Sequence, residues 1–182
     1  PRSTFIGLNG SFAPWVGALI ADVQQPILLV MNDGQLEEAI TRLSRVGFDN
    51  TLGYLEGGMD AWKAAGKETD SLANKTPEEL AEAYGDTANV PVIDVRKPTE
   101  FATGHVADAE NFPLDNINDY LASMPTETAW LHCKSGYRSV VAASMLKARG
   151  VHNLVNVLGG WMAIEQTNIK LSTDVKPSEP AS

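Results

Sequence analysis

His132-Cys133-Lys134-Ser135-Gly136-Tyr137-Arg138-Ser139 is the stretch on which the reading of the whole chain turns. A short apolar run, Ala129-Trp130-Leu131, precedes it, and a helix-like pattern from Val140 to Arg149 follows and stops at Gly150. Strand, tight loop and helix in that order put the chain's one cysteine at a strand's C-terminal end, facing a helix N-terminus. Amides there lack intrahelical partners and the helix dipole adds partial positive charge, so an anion is favoured. Lys134 and Arg138 bracket the sulfur with fixed positive charge. Gly136 lets the loop curl, so that amides between Lys134 and Ser139 can face inward as an anion-binding nest. All three effects favour the thiolate, which is the nucleophilic form. The commoner fate of a lone cysteine is to be a small buried hydrophobe, but that fate gives no reason for a basic, glycine-bearing loop.

Outward from this loop, strands and helices alternate. Upstream of the loop, Val90 to Val95 reads as a buried-type strand, Ala109 to Phe112 as a shorter one, and Asn116 to Met124 as helical. Thr76-Pro77-Glu78-Glu79 is a capping box with proline at the first helical position, opening a helix to about Tyr84. Downstream, Leu154 to Leu158 reads as strand and Gly160 to Gln166 as helix. The polar residues 67–75 interrupt the pattern and mark a domain boundary, and from Leu171 onward Ser, Pro and Glu suggest a disordered tail. Before the boundary, Phe5 to Leu8 reads as a short strand and Phe12 to Ile20 as helix. Pro26 to Met31 is of strand length, Leu36 to Val46 is an amphipathic helix ending at Gly47, and Thr51 to Leu55 is a strand. Gly57-Gly58 then opens a short helix carrying Trp62, which with Trp15 reads as core. Such alternation implies a parallel sheet covered on both faces.

The chain also repeats itself. Residues 45–50, Arg-Val-Gly-Phe-Asp-Asn, align with residues 148–153, Ala-Arg-Gly-Val-His-Asn, at an offset of 150 − 47 = 103, and Leu55-Glu56-Gly57-Gly58 matches Leu158-Gly159-Gly160 after a one-residue slip. That offset carries Cys133 back to Val30, in a loop with no nucleophile and neither Lys nor Arg.

Cys133-x-x-Gly136-x-Arg138-Ser139, together with Asp94-Val95-Arg96 and Glu100-Phe101-Ala102-Thr103-Gly104-His105-Val106, resembles the rhodanese family of sulfurtransferases. The related phosphatases and arsenate reductases carry one more residue between Cys and Arg, and the shorter loop suits a terminal sulfur better than a tetrahedral oxyanion. The resemblance implies an α/β, three-layer domain with a parallel sheet flanked by helices over residues 69–170, preceded at 1–68 by a degenerate, truncated copy and followed by a tail at 171–182. The first copy has no Asp-x-Arg segment before Phe5, so its opening strand and helix are missing. The pairing is similar to the C-terminal part of persulfide dioxygenase-like fusions, which implies a metallo-β-lactamase domain upstream.

By that resemblance Cys133 is the nucleophile and forms a transient persulfide, with no cofactor and no metal. Lys134, Ser135, Gly136, Tyr137, Arg138 and Ser139 form the anion-binding loop, and Asp94, Arg96, Glu100 and His105 support it. Asp94 and Arg96 are expected as an internal ion pair bracing the site. Glu100 either pairs with Arg138 or serves as a helix N-terminal acid, and His105 is expected to be a hydrogen-bonded packing residue. His132 should point to the opposite sheet face from Cys133. Tyr137 and Trp161 either wall the pocket mouth or pack. A small anionic donor, thiosulfate or a persulfide, and a thiol or other thiophilic acceptor are the implied partners. A non-catalytic docking module is the first rival reading and a phosphatase or arsenate reductase of the same fold the second, and a homodimer is compatible with each.

Composition narrows the classes. The chain's 182 residues and 43% hydrophobic content allow a sizeable core, as one ordinary domain or two small ones. Fourteen Lys and Arg against 23 Asp and Glu give a net charge of −9, which argues against nucleic acid or an anionic membrane as partner. One cysteine permits no internal disulfide and fits a cytoplasmic setting.

Overall fold

The computed structural model describes residues 2–87 and 90–175. The chain divides into two compact units, Ile6–Asp70 and a second from Ser71 onward that also takes in Arg2–Phe5.

In the first unit the elements run α1 (Phe12–Leu19), β1 (Ile27–Leu29), α2 (Leu36–Ser44), β2 (Thr51–Tyr54) and α3 (Gly58–Ala64). β1 and β2 form a two-stranded parallel sheet, with Ile27 opposite Thr51 and Leu29 opposite Tyr54. Strand side chains alternate between faces, so Ile27 and Leu29 pack against a core of Phe12, Val16, Leu43 and Phe48. Leu28, Leu52 and Tyr54 are turned to solvent, 74%, 65% and 50% exposed. α2 stops where Gly47 takes φ +86, and the Phe48 N–H closes back onto the Leu43 carbonyl at 3.1 Å. Two expectations fail here. Phe5 to Leu8 is irregular rather than a strand. Trp62 lies at the surface, its indole N–H donating to the Glu68 carbonyl at 2.8 Å, because this small unit has no second layer to bury it.

The second unit continues with β3 (Ala73–Lys75), α4 (Pro77–Thr87), β4 (Val92–Asp94), α5 (Pro98–Phe101), β5 (His105–Val106) and β6 (Glu110–Asn111). A 3-10 helix (Leu114–Ser123), β7 (Ala129–His132), α6 (Tyr137–Ala148), β8 (Leu154–Val157), α7 (Trp161–Ile164) and β9 (Leu171–Ser172) follow. The sheet order is β3-β8-β7-β4-β6 and every neighbouring pair is parallel. β4 and β8 are buried at every residue, as strands covered on both faces must be. One face holds Leu80 of α4, Val157 of β8 and Ile164 of α7, with Trp130 packed against them. On the other face α6 packs with the 3-10 helix, burying Val141, Met145, Ile117 and Tyr120.

α4 opens on the expected capping box, with the Glu79 N–H donating to Thr76 Oγ1 at 3.2 Å and the Thr76 N–H to Glu79 Oε2 at 2.8 Å. Two polar stretches are more ordered than their composition suggests. Residues 73–75, read as part of an interruption, form β3, because β8 offers a ladder to pair with. Leu171 and Ser172, read as the start of a disordered tail, form β9, antiparallel to β5 with His105 opposite Ser172. The rest of the expected tail, from residue 176 on, lies outside the described residues. No helix among the described residues is long and apolar enough to cross a membrane.

Candidate active site

Parallel topology brings the C-terminal ends of β4 and β7 side by side, with Asp94 in register with His132. The loop of residues 133–136 leaves β7 there and enters α6, whose N-cap is Gly136 at φ +105. In that conformation the Gly136 N–H turns back and donates to Cys133 Sγ at 3.1 Å. The sulfur therefore sits under the first turn of α6, where amides lack helical partners and the dipole is positive. Cys133 is 1% exposed, so only a slender reagent can reach its sulfur.

Arg138 and Glu100 settle the choice left open between a brace and a helix acid. Arg138 Nη1 donates to Glu100 Oε2 at 2.6 Å and Nη2 to Oε1 at 2.8 Å, a forked pair between α6 and α5. Glu100 Oε2 also accepts the Lys97 N–H at 3.2 Å, so it fills both roles. The Arg138 hydrogen bonds hold the Glu100 carboxyl down at about 2, and the same bonds push Arg138 upward. With its fork engaged by Glu100, Arg138 shapes the loop, and the exposed Lys134 is the cation left open to solvent.

Beneath the loop lies a buried polar cluster. Arg96 Nη2 donates to Asp94 Oδ2 at 2.6 Å and to the Gly104 carbonyl at 2.7 Å, while its guanidinium lies 4.5 Å from the centre of the Trp161 ring. Asn111 Nδ2 ties the Asp94 and Arg96 carbonyls at 2.8 and 2.9 Å. This is the internal ion pair expected of Asp94 and Arg96. His105 packs flat on Phe101 with ring centres 3.7 Å apart, its Nδ1 2.9 Å from the Phe101 carbonyl, which is a packing role. His132 is fully buried on the face opposite Cys133, and that burial lowers its pKa and keeps it neutral. Trp161 packs over Arg96 and His132 rather than standing as a free wall.

Two contributors, Gly160 and Asn156, were not singled out for the site from sequence. Gly160 lies so close under the loop that a Cβ there would sit 2.4 Å from the Cys133 carbonyl oxygen. The next two amides, of Trp161 and Met162, donate to the Cys133 and Lys134 carbonyls at 2.7 and 3.1 Å. Asn156, 2% exposed, accepts from the Ser139 hydroxyl at 2.7 Å, and that hydroxyl oxygen lies 3.7 Å from Cys133 Sγ. A glycine pair after a strand was the available signal for Gly160, and a polar residue inside the apolar run Leu154 to Leu158 was the signal for Asn156. Among the described residues no three His, Cys, Asp or Glu side chains gather as a metal would need.

The first unit repeats one of these contacts. A Cβ on Gly58 would sit 2.5 Å from the Met31 carbonyl oxygen. The spacing 160 − 58 equals 133 − 31, so Gly58 approaches Met31, one residue beyond Val30, as Gly160 approaches Cys133.

Residues 76–167 match the family described as a rhodanese-like domain. A protein of Allochromatium vinosum named sulfurtransferase is 32% identical over 87 residues, which is 47% of this chain and 81% of that protein. An uncharacterised Synechocystis protein is 32% identical over 100 residues, and the chain spans about half its length, 54%. The crystal structure of a rhodanese-like domain protein from Staphylococcus aureus aligns with a TM-score of 0.50 at 30% identity, over 54% of this chain and 97% of that one.

Proposed function

The chain belongs to the rhodanese-like family, and from that premise we propose that it moves a sulfane sulfur through a persulfide on Cys133. The Cys133 thiolate attacks the outer sulfur of thiosulfate or a small persulfide. The S–S bond of the donor breaks and its electron pair leaves with sulfite or the donor thiolate. An acceptor thiolate, or cyanide in an assay, then attacks the outer sulfur, and the electron pair returns to Cys133 Sγ. The Gly136 amide and the first turn of α6 stabilise the charge on sulfur, and Lys134 draws in the anionic donor. The scheme uses no metal or organic cofactor.

The observation that carries this reading is the Gly136 N–H on Cys133 Sγ at the start of α6, inside a loop held by the Glu100–Arg138 fork. The low exposure of Cys133 favours a donor whose outermost atom is a bare sulfur over a bulky ester. Intact-mass measurement after exposure to thiosulfate should find one added sulfur atom on Cys133, removed by cyanide as thiocyanate. A protein that never takes up sulfur from thiosulfate or a small persulfide would leave the docking reading in its place.

We read the first unit as a degenerate copy of the same fold, residues 1–68 preceding the active copy at 69–170. The shared Gly58 and Gly160 contacts and the two parallel strand pairs support that reading. A parent protein with a metallo-β-lactamase domain before this segment fits the arrangement, and the mass of the intact parent tests it.

A further inference from the structure

We propose that Asn156 is a positioning residue that holds the Ser139 hydroxyl proton away from the Cys133 sulfur and so restrains its reactivity. The proposal rests on Cys133 being the nucleophile and names a control on it. Ser139 has one hydroxyl proton and three acceptors within reach: Asn156 Oδ1 at 2.7 Å, the Gly136 carbonyl at 3.1 Å and Cys133 Sγ at 3.7 Å. The shortest of these wins the proton.

The neighbours fix which way the Asn156 amide faces. Asn74 Nδ2 donates to the Leu72 carbonyl at 3.3 Å, which leaves Asn74 Oδ1 to accept from Asn156 Nδ2 at 2.8 Å. With its nitrogen committed to Asn74, Asn156 presents its oxygen to Ser139. The relay from Leu72 through Asn74 and Asn156 thus turns the Ser139 proton toward β8 and the oxygen lone pairs toward sulfur. In that orientation the hydroxyl can accept from a thiol and cannot donate to a thiolate. Ser139 is fully buried and Asn156 nearly so, which keeps water from substituting for either partner.

The charged groups around the sulfur are Lys134 of the loop, Arg138 of α6 with its partner Glu100 of α5, and the Asp94–Arg96 pair beyond neutral His132. β8 contributes Asn156 and no charge. Exchanging Asn156 for leucine leaves every one of those charges in place, so the Ser139 proton is the variable.

The test is the rate of iodoacetamide reaction with Cys133 in the full chain at neutral pH, which needs neither sulfur donor nor acceptor. Asn156→Leu removes the strongest competing acceptor and leaves the proton shared between the Gly136 carbonyl at 3.1 Å and Sγ at 3.7 Å, so alkylation should quicken, by at most about five-fold, the worth of one ordinary hydrogen bond. Asn74 is exposed, so water replaces its lost partner. Asn156→Asp keeps a stronger acceptor for the same proton and should slow the reaction. The decisive control is Ser139→Ala, in which the leucine exchange should have no effect. An Asn156→Leu variant that alkylates at the wild-type rate or slower overturns the proposal, as does equal acceleration with and without the Ser139 hydroxyl. If the leucine variant does not fold, Asn156→Asp takes its place: slowing that requires the Ser139 hydroxyl supports the proposal, and a rate unchanged or equally changed without it overturns it. Failure of sulfur loading, by contrast, would count against the proposed activity and leave this result standing.

Discussion

Two strand-to-helix loops in this chain, residues 30–35 after β1 and 133–136 after β7, have opposite electrostatics. After β7 the loop carries Cys133, Lys134 and a left-handed Gly136, then enters α6, whose first turn has no acidic residue. After β1 the loop carries Met31, Asn32 and Asp33, and α2 has Glu37 and Glu38 in its first turn. A helix N-terminus welcomes one anion, and in α2 the chain's own carboxylates supply it. In α6 the place is left for sulfur. Both helices are followed by a parallel strand and a glycine pair, and the two loops differ in the charges and side chains they carry.

The hardest test of that contrast exchanges the sulfur itself. Cys133→Ser should abolish sulfur loading, because a neutral serine hydroxyl is neither ionised nor soft enough to take sulfur, while the fold persists. Met31→Cys should not create a second loading site, since its loop has no cation and its helix start is already acidic. A persulfide forming at residue 31 would show that backbone shape alone suffices.

Next in size is the shared glycine. Gly160 has φ +58 and ψ −150, a region nearly reserved for glycine, and lies against the Cys133 carbonyl; Gly58 has φ +54 and lies against that of Met31. Alanine at either should cost about 2–4 kcal/mol in its own unit, since a backbone atom cannot move aside as a side-chain tip can. Hydrogen exchange resolved along the chain measures the two losses. Only Gly160→Ala should also reduce sulfur transfer, and equal losses of transfer from both would break the division of roles.

Much of this was legible beforehand. The place of the Cys133 loop between a strand and a helix, the Asp94–Arg96 pair and the β-α-β order follow from local chemistry that periodicity and glycine placement report. The Glu100–Arg138 fork joins residues 38 apart, and sequence left it as one of two alternatives because both readings ask for the same carboxylate. β3 and β9 could not be read because their polar residues acquire strand structure from partners far along the chain. Trp62 misled because apolar size marks core only where a second layer exists to cover it.

The fork gives a smaller, pH-dependent effect. Glu100→Gln should lower turnover about ten-fold with little change in apparent donor affinity, since it loosens the loop without touching Lys134. Arg138→Lys loses the forked geometry and should act likewise; a rise in KM alone would assign Arg138 to donor binding instead. The Glu100 carboxyl is held from 4.5 down to about 2, so its contribution is full above 4.5 and is lost as pH falls through about 2. Complete burial would make that roughly 3 kcal/mol, and partial exposure reduces it to about 1 kcal/mol. Acid unfolding of Glu100→Gln should accordingly be less steep over that window than the wild type.

The smallest effect concerns the two sheets. In the second unit Val155 and Val157 of β8 are buried, Val157 beneath Leu80 and Ile164. In the first unit Leu52 and Tyr54 of β2 stand 65% and 50% exposed, and Leu28 of β1 74%. Burial decides what a side chain contributes: removing a covered valine forfeits its transfer energy and leaves a cavity, while an exposed leucine has little left to lose. Val157→Ser should therefore destabilise its unit by about 2 kcal/mol or more, and Leu28→Ser or Leu52→Ser should change stability by less than about 0.5 kcal/mol. Thermal melting of the three variants compares the faces directly. A loss at Leu28 or Leu52 approaching that at Val157 would mean that the open face is covered in solution.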